Sequence, residues 1–575
     1  MSLLTKIYNL LNKKEKYTFF LILFLTLLNT FVEILGITAI IPLISITLKQ
    51  DLSLFENFFF YPYLLEFSKT ENFIIISFSV VLAIFVFKNI YIIFYNWFFV
   101  KFYTFVGKRL ADEICEHYIN SNYIDYLQLK GSKFIYQCTE AIEMFKQSLY
   151  NLILFILEIL VLFSITAFLI FLNPKISIMI IFFLTITSLI IFSFFVKKNK
   201  LWGKLAKKFW NLRIGLLNEI LTSFKDIVIF NSKKFFFKKF QLTNYNVNLN
   251  QYKSMFLLSV PRPFLELVIV ILLISSLYFL LTVLKLPPDQ IILLLSIYGV
   301  SFFRIYPSMT RISQSLQKFN FGSSALDELK EILAQKNINI KKIKEKRKVI
   351  INEKINSIKM IDLSFAYNQN NDFTIEKINV LFQKNILYGI VGSTGSGKST
   401  FIDLISGLLK PSSGTFEINQ KIYNNLGNEW YKKISYVTQN VSLINDTLEK
   451  NIAFGLEEHE IDKEKIKSII DKTALAQLVD KFKERKDQIV GERGIQISGG
   501  EKQRIGIARA LYFDRDIYIF DEATNALDKD TEKKILTNLK KILVDKILIF
   551  VTHKESTINY FDKILSLKNK KLEHV

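Results

Sequence analysis

The densest chemistry lies in Gly392-Ser393-Thr394-Gly395-Ser396-Gly397-Lys398-Ser399-Thr400. Its glycines let backbone N–H groups wrap an anion. It follows an apolar strand-like run, Ile386–Val391, and opens a helical pattern, the context a phosphate loop requires. A helix N-terminus adds positive potential at that point. Lys398 can reach the β and γ phosphates of ATP, and the Ser399 hydroxyl can bind Mg2+. A second apolar run, Asp516–Phe520, ends in Asp521-Glu522. An acidic pair at the end of a strand suits magnesium binding by Asp521, directly or through water. Glu522 then positions and activates the attacking water as general base.

Alternating strand and helix patterns from about residue 355 to 575 place these residues in an α/β nucleotide-binding domain. Residues 321–354 read as a basic linker, including Lys341-Lys342-Ile343-Lys344-Glu345-Lys346-Arg347-Lys348. Residues 1–320 read as an all-α polytopic membrane domain. The chain has 575 residues, half of them hydrophobic, and a mean hydropathy of +0.27. Six stretches are long enough to cross a bilayer: 17–47, 73–104, 149–172, 174–196, 256–284 and 288–312. The first is too long and too weakly flanked for a cleaved signal peptide. Residues 1–16, 106–147 and 197–253 carry four, five and thirteen Lys or Arg, against two in 48–72. That bias places the N-terminus, the long loops and the ATP-binding domain in the cytoplasm. Much of the net charge of +22 is therefore membrane topology, and no nucleic-acid partner is expected. Two cysteines and four scattered histidines build neither a disulfide framework nor a zinc site.

The stretch Ile497-Ser498-Gly499-Gly500-Glu501-Lys502-Gln503-Arg504 resembles the signature of ABC transporters, and with the phosphate loop and acidic pair the resemblance spans essentially the full chain. The usual signature is Leu-Ser-Gly-Gly-Gln, so Ile497 and Glu501 depart from it. Glu501 adds an acid near where a partner's nucleotide would sit. The resemblance implies a homodimer. Ser498, Gly499, Gly500, Glu501 and Asp528 of one copy face the ATP held by the Gly392–Thr400 loop of the other. It further implies that Tyr367 stacks on adenine and that Gln439 touches magnesium. His553 contacts the γ-phosphate, Asn525-Ala526-Leu527-Asp528 forms the D-loop, and Val490–Gly494 meets the membrane domain. Helix turns near Asn122–Leu127 and Asn218–Asp226 are expected to touch the ATPase domain.

Ionisable residues inside a membrane are costly and are functional candidates. Six are expected: Glu33, Lys88, Arg262, Glu266, Arg304 and Arg311. Four cations against two acids suit an anionic head, with pairing to the acids as the structural alternative. Arg304 and Arg311 stand seven apart on one helical face. The outer loop 48–72 is rich in Leu and Phe and suits an interfacial segment. The stretches Phe31-Val32-Glu33, Val260-Pro261-Arg262 and Arg304-Ile305-Tyr306-Pro307-Ser308 resemble one branch of half-size ABC exporters. These are the lipid-linked oligosaccharide flippase of bacterial protein N-glycosylation and the related O-antigen flippase. That resemblance implies ATP-driven movement of a polyprenyl-pyrophosphate glycan across the bacterial inner membrane, with membrane lipid and glycan as partners. Lys88, Arg262, Arg304 and Arg311 would meet the pyrophosphate. The alternative is a general lipid A-type or multidrug exporter. A peptide exporter with its own peptidase does not fit, since no such domain precedes the first stretch.

Overall fold

The computed structural model describes residues 3–47, 73–127, 129–172, 174–282, 288–345, 353–367, 374–483, 489–490 and 497–574. The expected outer loop 48–72, the chain break at Asn173, Leu286-Pro287 and the segment Gly491–Gly494 lie outside the described residues. The chain divides into two compact units. One comprises Met1–Ser121 with Gln128–Lys342, the other Asn122–Leu127 with Ile343–Val575.

The first unit is helical. Helices occupy all six expected stretches: Lys13–Thr47, Phe73–Ile119, Glu140–Leu172, Pro174–Thr222, Pro261–Thr282 and Pro288–Glu345. Three of them open on proline, which supplies a helical φ and lacks an N–H that would go unpaired there anyway. At 1.5 Å per residue, the 47 residues of Phe73–Ile119 span about 70 Å, more than twice a bilayer core. Such helices must run on past the lipid. Among the described residues, four stretches are long and apolar enough to cross a membrane: Lys13–Gly36, Ile75–Ile119, Gly131–Phe171 and Lys233–Thr282. Most side chains of the stretch 174–196, and those of 288–290 and 292–297, are outside the described set. The expected linker 321–354 is helical through Glu345, because the last long helix continues without a break.

Packing joins these helices through buried Leu110, Ile114, Phe145, Leu149, Ile153, Leu326 and Leu329. Phe99 and Tyr150 stack with ring centroids 5.4 Å apart. Arg109 clamps the N-terminal segment. Its Nε donates to Glu15 at 2.6 Å, and one Nη donates to the Leu10 carbonyl at 2.8 Å.

The second unit holds a six-stranded sheet of order β12-β11-β3-β10-β9-β6 and a four-stranded antiparallel sheet of order β2-β1-β4-β5. In the larger sheet β3 is Leu387–Val391, β6 Ile434–Val437, β9 Ile517–Asp521, β10 Ile547–Val551, β11 Lys563–Lys568 and β12 Lys571–His574. The four strands β3, β10, β9 and β6 run parallel. Strands β9 and β10 are buried almost throughout, as expected for parallel strands covered on both faces. In the smaller sheet β1 is Ser357–Phe365, β2 Ile375–Gln383, β4 Ser413–Ile418 and β5 Lys421–Tyr423. The short helix Tyr123–Leu127 belongs to this unit, with Tyr123 and Ile124 packed against its core. The other expected contact turn, Asn218–Asp226, belongs to the helical unit.

Candidate active site

Parallel strands end together, so residues following β3, β10, β9 and β6 share one edge of the sheet. That register brings the Gly392–Gly397 loop, His553, Asp521-Glu522 and Gln439 to one place, although 161 positions separate Gly392 from His553. The loop turns on Gly395 and Gly397, whose φ values of +80° and +101° are backbone states that favour glycine. The helix Lys398–Ile405 begins there. Lys398 is buried, and its Nζ donates to the Gly392 and Ser393 carbonyls, each at 2.8 Å. Burial pushes the Lys398 ammonium down, while Glu522 and Asp521 hold it up. The Ser396 hydroxyl is buried with no hydrogen-bond partner among the described residues. An ammonium folded onto its own loop and an unspent hydroxyl fit a cradle built for phosphate oxygens.

The acidic pair divides into two environments. Asp521 accepts from the Tyr436 hydroxyl at 3.1 Å. Burial pushes its carboxyl up, and neighbouring Glu522 adds to that rise. A divalent cation would offset that cost, with Ser399 and Gln439 at hand. Among the described residues no group of three or more His, Cys, Asp or Glu could bind a metal alone. Magnesium here would therefore rely on phosphate oxygens, as it commonly does. Glu522 has φ of +50°. One of its carboxylate oxygens accepts from Gln439 Nε2 and from Asn525 Nδ2, both at 2.7 Å. The other lies 3.1 Å from His553 Nε2. Three side chains from three loops thus aim one carboxylate.

Tyr367 is half exposed. Its hydroxyl lies 3.3 Å from Thr400 Oγ1, and its ring meets Phe365 edge-on. That leaves its outer face open to a flat base. Ser498 caps the helix Gly499–Tyr512 in a capping box with Glu501. The Glu501 carboxylate accepts from Ser498 N at 2.8 Å and from Ser498 Oγ at 2.9 Å, and it is buried. The acid that departs from the usual signature is therefore turned inward onto its own turn. Asp528 caps the next helix through Thr531 N at 3.0 Å, which holds its carboxyl below the usual range.

Sequence reasoning missed Gln503, Tyr436 and Asp403 in this unit. Burial, helped by Asp521, pushes Asp403 up to about 6. Gln503 stands inside the signature stretch without a role assigned to it, whereas Tyr436 and Asp403 carry no local pattern and only the fold brings them to the site.

In the helical unit Arg304 pairs with Glu33. Arg311 Nη1 lies 2.7 Å from Glu158 Oε1, whose carboxylate is fully buried, its second oxygen without a hydrogen-bond partner among the described residues. Lys88 lies within electrostatic reach of Glu33 and Arg304. Arg262 is exposed, and its Nε donates to the Tyr306 hydroxyl at 3.3 Å. The expected count of four cations against two acids needs correction: Glu158 makes a third acid. Its signal was present in the sequence, a lone acid inside the apolar run Leu152–Phe163. Arg304 and Arg311 share a helix, yet they bind acids on two different helices.

Comparison with known proteins fits this geometry. Residues 375–525 match the family model described as ABC transporter. The chain is 30% identical over 408 residues to the ATP-dependent lipid A-core flippase of Wigglesworthia glossinidia brevipalpis, covering 67% of this chain and 66% of that protein. It is 32% identical over 254 residues to the nisin transport ATP-binding protein NisT of Lactococcus lactis subsp. lactis, covering 44% and 42%. Matches to curated relatives span 35% to 66% of those proteins' lengths. A solved bacterial Atm1-family ABC exporter with ATP bound superposes with a TM-score of 0.74, covering 97% of this chain and 94% of that one at 18% identity. Residues 375–525 of the second unit thus form an ABC transporter ATP-binding domain, whose enzymatic activity is ATP hydrolysis. The chain as a whole has the fold of an ABC exporter, a helical membrane domain joined to that cassette.

Proposed function

We propose that the chain is one protomer of a homodimeric, half-size ATP-driven exporter of the bacterial inner membrane that flips a lipid with an anionic head. The observation that carries the reading is the aiming of Glu522 by Gln439, Asn525 and His553 beside the Lys398 loop. ATP would be held by the Gly392–Thr400 loop, with Tyr367 against the adenine. Ser399, Asp521 and Gln439 would hold magnesium, which would neutralise charge on the phosphates. Glu522 accepts the proton of the attacking water, and His553 donates toward the γ-phosphate. Ser498, Gly499 and Gly500 of the second copy complete the site. Dimer closure then depends on ATP and reopening on its hydrolysis. Six spans carry that motion as alternating access, and Tyr123 and Ile124, packed on the cassette core, pass it to the helices that flank them.

The lipid reading draws support from relatives named lipid A-core flippases. It also draws on Lys88, Arg262, Arg304 and Arg311 in the helical unit. A polyprenyl-pyrophosphate glycan remains the more specific cargo that the short stretches around Glu33, Arg262 and Arg304 suggest. The pairing of Arg304 and Arg311 with acids weakens the cation surplus on which that finer reading stood. An anionic head must compete with Glu33 and Glu158 for those guanidinium groups. The test is ATPase activity in vesicles of graded composition. Anionic lipids with phosphate-bearing heads should stimulate turnover above neutral lipids of the same tail, and Arg304→Ala should abolish the difference. Equal stimulation by neutral and anionic lipids would refute an anion-selective cavity.

A further inference from the structure

We infer that Gln503 is a positioning residue for ATP hydrolysis, tying the signature turn to the catalytic carboxylate of the same cassette. The inference rests on Glu522 being the general base. Gln503 lies on the helix Gly499–Tyr512, five positions after Ser498, and is buried. Its amide is spent at both ends. Nε2 donates to the Glu522 carbonyl at 3.2 Å, and Oε1 accepts from Ala526 N at 2.8 Å. The residue it grips carries a positive φ, which a side chain other than glycine adopts only when its surroundings enforce it. Glu522 N donates to the Val551 carbonyl at 3.0 Å, which fixes the peptide on the other side of the same residue. Gln503 and β10 thus hold the Glu522 backbone from opposite directions, and the side chain is aimed from that fixed base.

The signature turn touches the same loop. A Cβ on Gly500 would stand 2.9 Å from the Ala526 carbonyl, and one on Gly499 would lie 3.4 Å from Ala526 Cβ. The turn therefore lies against Ala526, and the residue before it, Asn525, donates to Glu522. A shift of the helix start is transmitted to Glu522 by two routes: through Ala526 and Asn525, and through Gln503. In the dimer, the turn would meet nucleotide held by the partner. The state of one ATP site would then set the aim of the base in the other. The geometry needs no moving part beyond the first two turns of that helix.

Two variants separate this role from packing. Gln503→Met keeps the buried volume and removes both hydrogen bonds. Gln503→Glu keeps an acceptor for Ala526 N and loses the donor to the Glu522 carbonyl. Both should lower kcat of the full-length protein in lipid nanodiscs by about ten- to a hundredfold, the cost of misplacing a reacting group by a fraction of an ångström to one ångström. The KM for ATP and the binding of a non-hydrolysable ATP analogue should stay unchanged. In a Glu522→Gln background, adding Gln503→Met should cause no further loss, since both changes act on one base. A wild-type kcat in both Gln503 variants, or full additivity with Glu522→Gln, would overturn the positioning role. Glu522→Gln at the wild-type rate would instead overturn the assignment of the base. If Gln503→Met fails to fold, Gln503→Glu alone carries the comparison.

Discussion

Glu501 places a carboxylate where ABC signatures commonly have glutamine, and the fold absorbs it. The capping box spends that carboxylate on the amide and hydroxyl of Ser498, so it stabilises the turn in place of projecting into solvent. The negative charge still stands at a helix N-terminus, where it offsets the positive potential a γ-phosphate would use. Glu501→Gln preserves an acceptor for Ser498 and removes the charge. The expected result is an ATP KM about two- to fivefold lower in steady-state ATPase assays, from an interaction of about 0.3–1 kcal/mol. An unchanged KM would show that the charge is not felt at the site. Asp403 makes a pH-dependent case. Burial, with Asp521 next, raises its carboxyl from 3.8 to about 6. The folded cassette therefore holds this proton more tightly than the unfolded chain, and stability falls as pH rises from about 4 to 6. Asp403→Asn should stabilise the cassette at pH 7 by an amount on the order of 2–3 kcal/mol at most, read as a higher thermal midpoint. The gain should vanish near pH 4. A gain independent of pH would point to packing in place of charge.

Between elements, the buried ion pairs decide which helices stay together. Glu158, on Glu140–Leu172, is fully buried, whereas Arg311, on Pro288–Glu345, is 44% exposed. Arg311→Ala strands a buried carboxylate, a change that costs about 3–5 kcal/mol when one partner of a buried pair is removed. Glu158→Gln leaves the half-exposed guanidinium with an amide oxygen as acceptor and strands no buried charge. Thermal unfolding in detergent should therefore show a large drop for Arg311→Ala and a small one for Glu158→Gln. Equal drops would show that the pair is not asymmetrically buried. The elements themselves were largely legible. Gly395, Gly397 and Lys398 sit in one short run because phosphate binding uses contiguous backbone, and the ends of β3, β9 and β10 fall within a residue of where the apolar runs stop. Gln503 and Tyr436 were not legible. Each reaches its partner only after parallel strands are laid side by side, and a single buried polar side chain leaves no periodic trace. The continuation of the last long helix through Glu345 was obscured by its lysines, which suit a solvated helix face and a linker equally well.

At the scale of the whole molecule, the net charge of +22 and the long apolar helices have one origin. Basic loops are expected on the cytoplasmic side of a membrane, and the helix Phe73–Ile119 is longer than a bilayer core. Asn122–Leu127 interrupts the helical unit in sequence and packs with the cassette in space. The cassette offers a phosphate loop at one place and the Ser498 turn at another. On the proposed shared-site reading, completion of either ATP site calls for a second copy. The direct measurement is the distance between the two cassettes in lipid nanodiscs. The Glu522→Gln chain, with Cys115 and Cys138 replaced, would carry one spin label at Lys534→Cys. Addition of Mg·ATP should collapse a broad distribution of label distances to a single shorter one, and Ser498→Arg should prevent the collapse. Stoichiometric ATP binding with an unchanged distance distribution would contradict the shared site.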